Sequence, residues 1–208
     1  MSKRTFLAAL ALVTTAYGAN AATLVSLSNF GTDAIVEDFN AAPLGIVQPD
    51  NAIFTNLGIT GLRSAGYNRD RFNNRANSSR ALGVDSNGNL SIIDPGTRGL
   101  SSSYSLSFAS TTTRFGFGIH DQRTRLNVEF FNNGTLVDQL RVRTRTRDLA
   151  QFYIWAAEFD MVKISSRRAT QAFALDNLTI SPIPVPAGLP LFVTALGAFA
   201  WTRRKSKV

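Results

Sequence analysis

The sequence predicts an all-β body, an antiparallel β-sandwich or jelly roll, between an N-terminal signal-peptide helix and a C-terminal transmembrane helix. Three observations lead there. From residue 22 to residue 182, short runs rich in Val, Ile, Phe, Thr and Tyr recur between clusters of Gly, Asn, Asp and Ser, the spacing of strands and turns in sandwiches. No stretch of that body carries a convincing 3.6-residue apolar period with caps. Both ends of the 208-residue chain have the layout of targeting segments.

The chain opens with MSKRTFLAALALVTTAYGANA. Lys3 and Arg4 form a positive region, Phe6 to Ala16 an apolar one, and Ala19-Asn20-Ala21 gives the small-x-small pattern of a signal-peptidase site. Cleavage is expected after Ala21, because the apolar stretch is about half of the roughly 20 residues a bilayer requires. The expected organisation is therefore a signal peptide over 1–21, a β-sandwich body over 22–182 and a sorting signal over 183–208.

Within the body the expected strands are 34–39, 51–59, 89–93, 104–109, 114–121, 126–131, 135–145, 152–158, 161–166 and 173–181. The strongest local signal is LNVEFFNNGTLVDQLRV, where Asn133-Gly134 offers the positive φ angles of a tight hairpin turn. Leu126, Val128 and Phe130 alternate along one side, with Leu136 and Gln139 expected to answer them on the returning strand. In RFGFGIHD, Phe115, Phe117 and Ile119 point into the core by the same alternation. Residues 61–89, rich in Arg, Asn, Ser and Gly, are expected to form a surface loop or an irregular hairpin. DSNGN at 85–89 lacks the following glutamate of a calcium loop and is read as a turn.

The formal charge is +8, from 22 Lys and Arg against 14 Asp and Glu. Lys3, Arg4, Arg203, Arg204, Lys205 and Lys207 lie in the terminal signals. Without those six the body has 16 basic residues against 14 acidic ones, a balance of only +2. A nucleic-acid partner is therefore not expected. The chain has no cysteine, which excludes disulfides, thiolate metal sites and a Cys nucleophile.

Candidate chemistry is sparse. RVRTRTR places Arg141, Arg143, Arg145 and Arg147 on one face of a strand, a ladder suited to an acidic polysaccharide or a phosphate. The plain alternative is a solvated face or a charge-guarded edge strand. Glu37 and Asp38 near the start, with Asp176 and Asn177 near the end, are oxygen donors of the kind calcium takes. A structural Ca2+ site is open to them if the first and last strands are neighbours, the plain alternative being turn-forming and strand-end polar residues; no other cofactor is expected. No G-x-S-x-G, H-E-x-x-H or phosphate-binding Gly loop occurs. The single histidine, His120, has no evident nucleophile, and nothing local brings Glu129 and Glu158 together as a glycosidase pair. The body is thus expected to be non-catalytic.

The chain closes with IPVPAGLPLFVTALGAFAWTRRKSKV. The apolar run from Leu189 to Trp201 is short for a permanent span and is interrupted by Pro190 and Gly197. Arg203, Arg204 and Lys205 follow as a membrane stop, holding that end on the cytoplasmic side. These residues resemble the VPLPA-CTERM sorting domain, a relative of PEP-CTERM found on exported proteins of Gram-negative bacteria. The family's V-P-L-P-A-G-L-P-L core appears as Ile183-Pro184-Val185-Pro186-Ala187-Gly188-Leu189-Pro190-Leu191. The resemblance implies transient insertion in the inner membrane with the body in the periplasm. It also implies recognition at Pro184, Val185, Pro186, Ala187 and Gly188 by an exosortase-type peptidase, then delivery to the cell surface or outside the cell. The VEDF opening and DNLTI ending resemble the variable β-rich domains that precede such tails. The expected function is a cell-surface or matrix protein without catalysis. The alternative is a carbohydrate-binding module for acidic extracellular polysaccharide; a secreted hydrolase is the least favoured.

Overall fold

The computed structural model describes residues 21–181, apart from 49, 72–79, 86, 88, 95–97, 121–123, 145–148 and 169–170. In chain order its strands are β1 (Thr23–Leu24), β2 (Ile35–Glu37), β3 (Gly45–Ile46), β4 (Ile59–Arg71), β5 (Ala81–Val84), β6 (Leu90–Ile93), β7 (Arg98–His120), β8 (Arg125–Asn132), β9 (Thr135–Arg143), β10 (Ala150–Ser166) and β11 (Ala174–Ile180). A 3₁₀ turn covers Leu27–Phe30, and a short helix, α1, covers Ala52–Asn56. The strands form one sheet in the order β3-β6-β5-β11-β7-β10-β8-β9, with β1 beside β10, β2 beside β11 and β4 beside β7. Pairing is antiparallel throughout, so the predicted antiparallel β class holds. No helix among the described residues is long and apolar enough to cross a membrane. The terminal helices expected over 1–21 and 183–208 lie outside the described residues, except for Ala21, which is exposed.

Two strands organise the sheet. β7 has 23 residues and β10 has 17, and they pair from Ala150↔Ile119 to Ser165↔Ser103. Register shifts fall on either side of Phe159, and such bulges bend a strand and increase its twist. Each half then serves a different neighbour. β7 pairs with β4 through Phe108 and with β11 from Phe115 onward; β10 pairs with β1 at Ile154 and Trp155 and with β8 from Met161 onward.

The bend is filled with aromatic rings. Phe159 is fully buried, with ring centroids 5.8 Å from Phe108 and 4.8 Å from Phe130. Phe108 lies 6.1 Å from Phe115, so residues on both sides of the bend share one core. Phe115, Phe117 and Ile119 are buried as the alternation predicts. Beneath β5 and β11, fully buried Tyr104 donates its hydroxyl proton to Phe173 O at 2.9 Å. On the outer face Gly116 leaves room for Tyr153: a Cβ there would stand 2.8 Å from the Tyr153 ring.

Four sequence expectations are corrected. Residues 51–59 are not a strand: the Asn51 side chain accepts from Ile53 N–H at 3.1 Å and caps α1, with Ile53, Phe54 and Leu57 at helical spacing. Within 61–89, residues 61–71 and 81–84 are strand rather than loop, because β4 pairs with β7 and β5 with β6. Backbone pairing there needs few apolar side chains; Ile59 and Leu62 are the buried ones among the described side chains of β4. The separate strands expected at 104–109 and 114–121, and at 152–158 and 161–166, are the continuous β7 and β10. Leu136 and Gln139 are both exposed; Val142 and Leu140 stand opposite Leu126 and Val128 instead.

Replacing Phe159→Ala removes the ring at the bend and is expected to cost about 3–5 kcal/mol. Urea denaturation followed by tryptophan fluorescence checks this; a loss below ~1 kcal/mol would show that the bend does not depend on that ring.

Candidate functional site

The hairpin β8–β9 forms as predicted, with Asn133 at φ 50° and Gly134 at φ 76°. Counting from Asn132↔Thr135 and Phe131↔Leu136, the register then slips to Phe130↔Asp138. Val137 is therefore an extra residue on β9. This bulge brings Val142 and Leu140 opposite Leu126 and Val128, burying apolar against apolar. It also places Arg125 directly opposite Arg143 on the outer face.

The chain after β10 joins these two. Arg167 N–H donates to Arg125 O at 3.0 Å, continuing the ladder beyond the strand. Arg168 N–H donates to Ser166 Oγ at 3.3 Å, and Gln171 N–H donates to Arg168 O at 2.9 Å. Beneath them Thr124 and Thr144 are buried and clasp each other: Thr124 N–H donates to Thr144 Oγ1 at 2.8 Å, and Thr144 N–H donates to Thr124 O at 3.0 Å.

Arg125, Arg143, Arg167, Arg168 and Gln171 line a cleft of about 400 Å³, within the size range of small-ligand sites. Among the described residues the ion pairs are Arg80–Asp94 at 3.3 Å and Lys163–Glu129 at 3.7 Å, and neither involves a cleft arginine. Like charges directly opposite on paired strands repel, and here two such groups converge with two more beside them. A second cleft, lined by Gln48, Asp50, Thr55, Ile59 and Thr60, has no basic residue.

Of the predicted arginine ladder, Arg141 and Arg143 are exposed on β9, and Arg143 enters the cleft. Arg145 and Arg147 lie outside the described residues. β9 is the last strand in the sheet order, so these charges also guard an edge. Arg125, Arg167, Arg168 and Gln171 were not anticipated. Arg125 could have been found by counting back along the hairpin, but only with the bulge included.

The donor set for calcium is partly assembled. β2 lies beside β11, with Glu37 opposite Leu178, so the first and last regions of the body are neighbours as expected. Glu37 Oε1 accepts from Phe39 N–H at 2.8 Å, Asp38 accepts from Asn40, and buried Asp176 accepts from Asn177 N–H at 2.7 Å. Among the described residues no group of three or more His, Asp or Glu is assembled for a metal. Burial raises the Glu37 carboxyl above its ordinary value of 4.5; the Phe39 N–H opposes this, and the charges of Asp38 and Asp176 add to it.

Neither Glu129 nor Glu158 lines either cleft. His120 ends β7, and its side chain lies outside the described set. The turn expected at 85–89 is present: Asp85 Oδ1 accepts from the N–H groups of Asn87 and Asn89, each at 2.8 Å. Elsewhere on the outer face the Arg114 guanidinium sits 5.3 Å from the centre of the half-exposed Trp155 ring. Ala19, the Pro184–Gly188 motif and Arg203, Arg204 and Lys205 lie outside the described residues.

No family model matches the chain, and no curated protein matches it. Among solved structures it is similar to the CBM32-1 and CBM32-2 domains of Clostridium perfringens ZmpB in complex with GalNAc. That match has 16% identity over 67% of this chain and 39% of that one, with a TM-score of 0.33. The same pair of domains without GalNAc matches at 17% identity over 67% and 40% of the two chains, TM-score 0.33. A structure of the CBM51-2 (in complex with GlcNAc) and INT domains from the same protein matches at 10% identity over 61% and 30%, TM-score 0.31. The chain thus spans two fifths or less of the length of these structures. At such TM-scores the likeness does not bear on what this chain binds.

A carboxyl whose value is raised in the fold stabilises it in acid, and that contribution is lost as pH rises through the folded value. Glu37→Gln keeps the acceptor for Phe39 and removes the charge. It is expected to raise the melting temperature near pH 7 by roughly 1–4 °C and to change nothing below about pH 4. Calcium held between Glu37 and Asp176 would reverse that order, raising the wild-type melting temperature alone on addition of calcium chloride. Scanning calorimetry of both proteins with and without the salt decides between the two.

Proposed function

We propose that this chain is an exported cell-surface or matrix protein whose β-sandwich body binds acidic extracellular polysaccharide through the arginine cleft. The observation that carries the reading is the Arg125–Arg143 pair in direct register, joined by Arg167 and Arg168, with no carboxylate partner among the described residues. An anionic polymer relieves that repulsion, and guanidinium forks suit carboxylate, sulfate and phosphate oxygens. Arginine is not deprotonated in proteins, and among the described residues the lining holds no general base or nucleophile. Binding rather than turnover is what this lining supports.

Export and sorting belong to the same proposal. The signal peptide delivers the body across the inner membrane; the tail arrests it there until an exosortase-type peptidase acts near Pro184–Gly188. A basic cleft on a protein released at the cell surface meets the anionic polymers of the matrix.

Isothermal titration of the purified protein with an acidic polysaccharide such as polygalacturonate or dextran sulfate tests the cleft. Arg125→Ala and Arg143→Ala are each expected to weaken binding by at least about tenfold. Raising salt from roughly 0.05 to 0.5 M is expected to weaken the wild type strongly, because the contacts are exposed and screened over about 10 Å at 0.1 M. Binding unchanged in the double variant would sink this reading of the cleft.

Mass spectrometry of the mature protein from its host tests the sorting. No peptide beyond about Ala187 is expected; Arg203 to Val208 retained on most molecules would refute processing.

A further inference from the structure

Among the described residues lining the cleft, Gln171 is the one whose side chain can offer either a donor or an acceptor to a ligand. In this structure the amide oxygen faces Thr124. The N–H of Arg168, which only donates, is given to Ser166 Oγ at 3.3 Å. Ser166 Oγ lies 3.3 Å from Thr124 Oγ1, and Thr124 donates to Gln171 Oε1 at 3.0 Å. Thr124 has one hydroxyl proton and gives it to Gln171, so the Ser166 hydroxyl donates to Thr124. The chain runs in one direction, from Arg168 N–H through two hydroxyls to the amide oxygen, and bonds aligned this way reinforce one another. Thr124 is 2% exposed, so its hydroxyl is given to a protein partner rather than to water. Gln171 therefore turns its amide N–H2 toward the ligand.

Among the described residues, the side chains lining the cleft then offer donors and no acceptor. A carboxylate has two oxygens and about four acceptor positions, which two bidentate guanidinium forks from Arg125 and Arg143 already occupy. The Gln171 amide, with Arg167 and Arg168, is left without a partner. A sulfate or phosphate ester carries a third terminal oxygen out of that plane, which offers these donors a partner. Neutral sugar hydroxyls bring protons that none of the described lining side chains accepts.

We propose that Thr124, acting through Gln171, makes the cleft selective for tetrahedral oxyanion esters over carboxylates on the bound polysaccharide; this rests on the anion-binding reading above. Thr124 is a positioning residue, and Gln171 makes the selecting contact.

The test titrates the full mature protein with dextran sulfate, polygalacturonate and neutral dextran at one ionic strength. Dextran sulfate is expected to bind at least about tenfold more tightly per charge than polygalacturonate, the scale of one hydrogen bond to a charged group, and dextran not at all. Thr124→Val frees the amide to turn its oxygen toward the arginines, and Gln171→Met removes the donor from a partly exposed position. Both are expected to bring the affinity ratio of the two polyanions close to one, whereas a loosened fold would weaken both polyanions alike. Displacement of dextran sulfate by inorganic sulfate or inorganic phosphate, each compared with acetate, identifies which ester the site prefers. Equal affinity for the two polyanions in the wild type, or displacement by acetate as effective as by either tetrahedral ion, overturns the selectivity while anion binding stands. Failure of both polyanions to bind overturns the selectivity and the anion-binding reading together.

Discussion

Every other strand takes its place from the antiparallel pairing of β7 with β10. Their hydrogen bonds run from Ala150↔Ile119 to Ser165↔Ser103, longer than a typical strand of five or six residues. A flat pair of that length could not close around a core. The register shifts about Phe159 bend it, and the ring packing of Phe159 with Phe108 and Phe130 occupies the inside of the bend. β4, β11, β1 and β8 then inherit their positions from whichever half of the pair they join. A chain without cysteine holds this arrangement without disulfides, by apolar burial, backbone pairing and side-chain hydrogen bonds such as that of Tyr104.

The cleft is a product of the same logic at a smaller scale. One bulged residue, Val137, shifts the β8–β9 register by a single position. The gain is apolar contact on the inner face, where Leu126 meets Val142 and Val128 meets Leu140. Because side chains alternate, that choice also settles the outer face, and it sets Arg125 against Arg143. Burial drives the register, and the arginine pair follows from it. The body's small net charge concealed this, since charge summed along a chain says nothing of charge gathered at one end of a sheet.

Much of the fold was legible where the signal is local. The Asn133-Gly134 turn, the inward Phe115, Phe117 and Ile119, and the Asp85–Asn89 turn each depend on a few adjacent residues. Three features were not legible, for different reasons. The α1 segment has apolar residues that also suit a strand, and five residues are too few for a period to declare itself. β4 is polar and reads as loop because its ladder to β7 satisfies its backbone without much apolar burial. The continuity of β7 and β10 was hidden because bulges interrupt the alternation that marks a strand.

The β class, the hairpin, the core faces of the clearest strands, the absence of disulfides and the arginines at alternate positions along 141–147 were all readable before folding. Those properties reside in residue type and in a period of two, which an unfolded chain already carries. Which arginines meet, and where Gln171 directs its amide, emerged only when the sheet assembled. Those outcomes depend on a one-residue register choice and on contacts between Thr124 and Gln171, 47 positions apart. No local pattern encodes a partner at that distance, because the partner is selected by what the whole sheet buries.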